Sequence, residues 1–319
     1  MARLRSEPGS RLALPRVDAA DPLVDDDLHL ALYTLYELHY QGFEGVDDAW
    51  EWDAALIAFR GALERTFLDA VEADVGPAPR IDAATVADQL KALIAAFDGP
   101  SLSSYMEQRG SLEEMREFAI HRSAYQLKEA DPHTWGIPRL AGEAKAALVE
   151  IQADEYGNGR LDEMHSERFR VTMRSLGLDE AYGAYVECLP GVTLATVNLV
   201  SLFGLHRRFR GALVGHLAVF EMCSVVPMGR YSRALRRLGV ADDAAAFYDV
   251  HVLADAVHEQ IAAERLAGGF ARSEPSRAGD VLFGAKALMA TEDRFARHLL
   301  GSWAMGRSSL RQPSSLVAA

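Results

Sequence analysis

The stretch FYDVHVLADAVHEQ, residues 247–260, places His251, Asp255 and His258 at i, i+4 and i+7. At about 100° per residue all three point within roughly 40° of the direction of His251, on one helical face. Two imidazoles and a carboxylate suit iron, manganese or zinc, because imidazole takes borderline metals and carboxylate favours harder ones. One helix cannot close a site, so further ligands must come from elsewhere. The segment EADPHTWGIPRLAGEAKAALVEIQADEYGNGRLDEMHSERF, residues 129–169, offers Glu129, Glu155, Asp162 and His165. On a continuous helix Glu155, Asp162 and His165 fall within about 80° of arc. Four carboxylates and three histidines make a set richer in oxygen donors than a structural zinc site and suited to two irons with open positions.

The remaining polar residues read more plainly. A lone histidine on a helix is more often a surface or capped core residue than a ligand, and His29, His121, His206 and His298 are taken so. His39 and Glu44 could line a substrate cavity or serve in packing and capping. Glu221 and His216 stand mid-helix among Leu217, Val219 and Phe220, a setting compatible with burial beside a cavity. Trp50 and Trp52 read as core.

Helices have to position these groups. DPLVDDDLHLALYTLYELHY sets Leu28, Leu32, Leu35 and Tyr36 at helical spacing behind an acidic start, and Gly42 and Gly45 end the run. WEWDAALIAFRGALERTFLDAVEADV restarts a helix, and Asp82 opens a third. SLEE at residues 111–114 is a capping box opening a helix to about Lys128. Further helices are expected at about 139–156, 160–175, 180–204, 207–238, 242–266 and 277–303. No segment alternates apolar and polar residues long enough for a strand, and alanine, leucine, glutamate and arginine dominate the periodic segments. The expectation is one all-α domain over residues 21–304, a bundle of about seven main helices with short accessory ones, behind a flexible leader (1–20) and before a flexible tail (305–319). In such bundles metal sites are built from carboxylates and histidines projecting inward from facing helices.

Of the 319 residues, 49% are hydrophobic, and 33 Lys and Arg against 46 Asp and Glu give a formal charge of −13. That field would not draw phosphates, which argues against a nucleic-acid binder. Cys188 and Cys223 are far apart and in no metal-type spacing, so two buried thiols in a reduced, cytoplasmic chain are expected. The N-terminus has basic residues without an apolar segment behind them, unlike a secretory signal. The longest apolar run, Val192 to Leu205, is interrupted by polar residues and is shorter than the roughly 20 residues a bilayer requires, so no membrane span is expected.

EADPHTW, EIQADEYGNG with a histidine ten residues after its glutamate, and HxxxDxxH realised as His251, Asp255 and His258 resemble the haem-oxygenase-like diiron oxidases, the iron-containing redox enzymes. LYELHYQGFEGVDDAWEWD and GHLAVFEMCSVVPMGRYSRALRRLG are also similar to bacterial members, so the likeness covers most of residues 30–265. It implies a haem-oxygenase-like seven-helix bundle with accessory helices. It also implies metal-ligand roles for Glu129, Glu155, Asp162, His165, His251, Asp255 and His258. The implied cofactor is two Fe2+ ions, oxidised to Fe3+ by O2 through a peroxo-diiron(III) intermediate that attacks a bound substrate. At position 162 family members tend to carry glutamate, which reaches one methylene further than Asp162. The first expectation is N-oxygenation of a small amine or amino acid. Oxidative carbon–carbon cleavage or decarboxylation of an amino or fatty acid is the alternative, and a non-catalytic iron-binding module on the same fold is another. Expected partners are dioxygen, a small-molecule substrate and an electron donor of unknown identity, with a homodimer as the commonest oligomer among soluble proteins. A haem oxygenase would need His29 or His39 as axial ligand, and a thiaminase-like hydrolase would need a cysteine nucleophile. Gly157 and Gly159, each costing a helix about 1 kcal/mol relative to alanine, make the ligand segment marginal, so metal binding is expected to order it.

Overall fold

Acidic and hydroxyl side chains cap most of the first helices, and one of these, over Leu102–Gln108, was not expected from the sequence. In the computed structural model, which describes residues 2–5 and 18–311 without the side chains of Ala2, Arg3, Asp255 and Ala256, Asp25 accepts from the Leu28 amide to open α1 (Asp26–Glu37). Asp53 does the same for α2 (Ala54–Val75) through the Ala55 and Leu56 amides. α3 (Val86–Ala95) follows a 3-10 turn begun at Asp82, and Ser101 caps α4 (Leu102–Gln108). α5 (Leu112–Gln126) opens on the expected capping box, with Ser111 and Glu114 each accepting from the other's amide. Each cap satisfies amides that have no partner within their own helix. The rest of the chain forms α6 (Asp131–Thr134), α7 (Gly142–Glu155), α8 (His165–Ser175), α9 (Gly191–Leu205), α10 (Arg210–Arg237) and α11 (Ala246–Gln260). A π-helical segment, Ile261–Ala267, leads into α12 (Gly268–Ser273), and α13 (Ala278–Ala304) closes the bundle. No strand occurs among the described residues, and the fold class is all-α as expected.

Three expected helices begin later or break. The stretch expected to be helical from 180 runs irregularly until α9, because Pro190 disfavours helical geometry at the preceding residue and Leu189 is extended (φ −81, ψ 129). The helix expected at 160–175 starts only at His165, and the one expected at 242–266 divides into a 3-10 turn, α11 and the π segment. Trp50 and Trp52 do not both enter the core. Trp50 is fully buried, but Trp52 is 73% exposed and lies edge-on to His39 at 5.0 Å. Both sit on a 3-10 turn, where residues two apart point well away from each other.

α9 is the central helix. Every residue from Gly191 to Gly204 is buried, leaving no polar face, and α1, α5, α6, α10 and α13 surround it. Most of its polar side-chain atoms find partners inside: Asn198 Nδ2 donates to the His29 carbonyl at 2.9 Å and Thr193 Oγ1 meets His121 Nδ1 at 2.8 Å, while Asn198 Oδ1 has no partner among the described residues.

α10 and α13 cross at glycines. A Cβ on Gly215 would stand 1.8 Å from the Val281 carbonyl oxygen, and one on Gly284 would stand 1.9 Å from that of Ala212. Only glycine permits this reciprocal approach. By length and composition α10 with its preceding turn could cross a bilayer, but α13, α11 and α4 pack along it and most of its apolar window is buried, which is the pattern of a core helix. Near the C-terminus, residues 309–311 of the expected tail are seated on the body. Ser309 donates from its amide and its hydroxyl to Glu117, and the Arg311 amide donates to the Cys188 carbonyl.

Candidate metal centre

Four elements deliver the candidate ligands to one buried place. Glu129 follows α5 in the turn where the Lys128 amide donates to the Tyr125 carbonyl. Glu155 is the last residue of α7, His165 the first of α8, and His251 and His258 lie two turns apart on α11. All five residues are at most 7% exposed. Glu155 Oε2 is 2.8 Å from His165 Nδ1, which in turn lies 3.1 Å from His251 Nε2. Glu129 Oε1 is 3.5 Å from His251 Nε2, and its Oε2 is buried without a hydrogen-bond partner. His251 Nδ1 donates to the Phe247 carbonyl at 2.7 Å, which turns Nε2 toward the cluster. That backbone bond is the usual device for fixing the tautomer of a metal-binding histidine.

One ligand atom from each of Glu129, Glu155, His165 and His251 lies within 4.8 Å of the others, and the same holds for Glu155, Glu221 and His258. Glu155 belongs to both groups. Such a knot of carboxylate oxygens and imidazole nitrogens holds more acceptors than its own protons can serve, and a cation satisfies it. The adjoining cavity is about 20 Å3, room for roughly one water or ion.

Electrostatics point the same way. Burial pushes the Glu129 carboxyl above its usual range, against the pull of His251. Burial likewise raises Glu221, whose Oε2 meets His258 Nδ1 at 3.1 Å. At His258 burial works to lower the pKa, but Glu221, Asp154 and Glu155 outweigh it and raise it to about 9. The two nitrogens of His258 are thus held between carboxylates, Nδ1 by Glu221 and Nε2 by Asp154 Oδ2 at 3.0 Å.

One expected ligand, Asp162, stands outside this cluster, and for another, Asp255, only the backbone is described. Asp162 is exposed on a 3-10 turn, Leu161–Glu163, and belongs to neither group. The continuous helix that would have carried it beside Glu155 is absent: Gly157, Asn158 and Gly159 all take positive φ (59°, 52° and 81°) and reverse the chain. At Gly157 a Cβ would stand 2.5 Å from both the Glu163 carbonyl carbon and the Met164 nitrogen. Glycine there lets the chain double back, bringing His165 to Glu155 while turning Asp162 outward. Asp255 lies on the α11 backbone, but its side chain is outside the described residues.

Glu221 and Asp154 were missed as members of the site. Glu221 carried a signal, a carboxylate within an apolar helical run. Asp154 carried none beyond adjoining Glu155, because its partner His258 is 104 residues away. The haem-type axial candidates are engaged elsewhere. His29 donates from Nε2 to the Pro22 carbonyl and accepts at Nδ1 from Asn198, and His39 lies between Glu51 and Arg60.

No curated protein matches the chain. A family model described as iron-containing redox enzyme matches residues 116–293, a span that is more than half of the chain and holds every candidate ligand. With that match over the helices that build the buried cluster, the chain belongs to the iron-containing redox enzyme family, and its role is an iron-dependent redox one.

Proposed function

We propose that the protein is a nonhaem diiron oxidase that uses dioxygen to N-oxygenate an amine or amino acid. The observation that carries this reading is the sharing of Glu155 between two buried donor groups. Glu129, Glu155, His165 and His251 would hold one iron, and Glu155, Glu221 and His258 the other. The set fits iron on its own terms, combining nitrogen and oxygen donors with an orphaned carboxylate oxygen on Glu129. When bound, the irons supply the reduction of dioxygen, which no side chain here can perform.

The chain's own contribution is placement and exclusion of water. Phe247 fixes His251 with Nε2 inward, and Asp154 orients His258 from the rim. Tyr125, Phe220, Leu217 and Met228 close the pocket with side chains that offer water few partners. Gln152 donates to the Ala130 carbonyl at 2.6 Å, tying α7 to the turn that carries Glu129.

The test is anaerobic ferrous titration of the metal-free protein, followed by exposure to dioxygen with a panel of amines, amino acids and fatty acids. Two irons per chain, oxygen consumption and a mass gain of one or two oxygen atoms on an intact amine are expected. Loss of carbon from the product would move the reaction to oxidative cleavage. Iron uptake without oxygen consumption would leave an iron-binding module.

A further inference from the structure

A second cavity, of about 470 Å3, adjoins the metal pocket. Phe220, Ser224 and Met228 line both. They stand at i, i+4 and i+8 on α10, so one stripe of that helix is the common wall. Ser224 is the smallest of the three side chains on that wall. The larger cavity begins at the surface beside Phe97, which is 46% exposed, and Ser101. Its volume is in the range of small-molecule sites.

The lining selects by chemistry. Phe118, Tyr231, Tyr248, Phe295 and Leu288 make an aromatic and apolar wall, with Phe118 stacked on Tyr231 at 4.5 Å. Both cations in the lining are already held. Arg122 makes a two-pronged bond to Glu292 at 2.9 and 2.6 Å and covers the Phe295 ring, while Arg230 reaches Ser101 at 3.2 Å and lies 3.6 Å from Glu107. A carboxylate entering the cavity therefore meets no unpaired cation among the described residues. Three oxygens in the lining lack hydrogen-bond partners among the described residues: Gln126 Oε1 and the Tyr248 hydroxyl, on residues at most 5% exposed, and Oδ1 of the partly buried Asp293. Gln126 Oε1 and Asp293 Oδ1 accept from N–H, the Tyr248 hydroxyl can accept or donate, and a buried acceptor left without a donor is costly.

We propose that this cavity is the substrate chamber and that it takes an amine with an extended alkyl or aryl body, in preference to a fatty acid or a small polar amino acid. The proposal rests on the diiron reading above and names the substrate class of that site. The apolar body lies against the aromatic wall, and the nitrogen end turns past Ser224 toward the metal pocket.

The experiment is calorimetric titration of the full chain with ethylamine, butylamine, hexylamine, octylamine, 4-phenylbutylamine and octanoate, run beside an independent ferrous titration. Each added methylene should tighten amine binding about fourfold until the chamber is filled, with octylamine at least tenfold tighter than octanoate. Ala296→Phe, which fills the wall, should weaken octylamine at least tenfold and leave iron uptake unchanged. A readout that needs no variant is alkylation of Cys223, which lines the chamber. Octylamine should slow it at least fivefold and leave Cys188 unaffected. Octanoate binding as tightly as octylamine, affinity independent of chain length, or unchanged Cys223 alkylation would overturn the proposal. Amine binding without iron uptake would instead overturn the diiron reading and leave the chamber standing.

Discussion

His165 Nδ1 stands 2.8 Å from Glu155 Oε2 even though one helix ends and another begins between them. The approach depends on the left-handed turn at residues 157–159, and it places the single carboxylate common to both donor groups against the first residue of α8. The donor cluster is therefore assembled across a joint in the chain, and metal occupancy is expected to couple to the conformation of that joint.

The shared position of Glu155 makes its removal unlike that of Glu221. On the two-iron reading proposed above, Glu155→Ala should lower affinity for both ions, each by at least about tenfold, the scale on which even outer-shell partners act. Glu221→Gln should weaken only the second site and leave roughly one iron per chain. Anaerobic ferrous titration with metal analysis decides this, and equal losses in the two variants would overturn the shared-carboxylate arrangement.

Amide hydrogen exchange through residues 155–165 should slow on adding ferrous iron, by at least about tenfold. The segment holds three positive-φ residues and an exposed 3-10 turn, features of low local stability. Equal protection with and without iron would show that the joint is fixed before metal arrives.

Lys128 and Glu37 form a fully buried pair at 2.8 Å, with Tyr182 donating to the same carboxylate and Tyr33 and Tyr40 beneath the ammonium. Removing one partner leaves the other charge buried alone. Lys128→Met should therefore cost about 3–5 kcal/mol, measured by urea denaturation, whereas neutralising both partners together should cost less.

At the α10–α13 crossing two effects oppose each other. Alanine is favoured over glycine in a helix by about 1 kcal/mol, yet the added Cβ of Gly284→Ala would meet the Ala212 backbone. Backbone cannot step aside as a flexible side chain can, so the clash wins, and a net destabilisation of about 1–3 kcal/mol is expected. A stabilised variant in denaturant melts would show that the helices separate readily.

Burial lowers the pKa of His29 to about 4, against the backbone hydrogen bond to Pro22 and the nearby Asp25, Asp26 and Asp21. The unfolded chain then binds this proton near pH 6.5 while the folded one does not, so stability falls as pH drops from about 6.5 to about 4. The full loss is about 3 kcal/mol. Urea melts at stepped pH read the slope, and His29→Asn should flatten it across that window.

The sequence by itself determined the helical class, the capping box at Ser111 and five of the residues that meet in the buried cluster. Those properties are local: a capping box needs only Ser111 and Glu114, and the helical period alone puts His251 and His258 on one side of α11. Tertiary structure decided the rest. Period counting assumed that the helix carrying Glu155 continued to Asp162 and His165, but the close approach of Gly157 to the Glu163–Met164 backbone reverses the chain and separates Asp162 from the cluster. Glu221 and Asp154 reach His258 from α10 and α7, at sequence separations of 37 and 104 residues. No periodicity in one helix specifies which face of another will oppose it. That choice is made by packing, here by glycines that let α10 and α13 touch and by an apolar α9 that the other helices enclose.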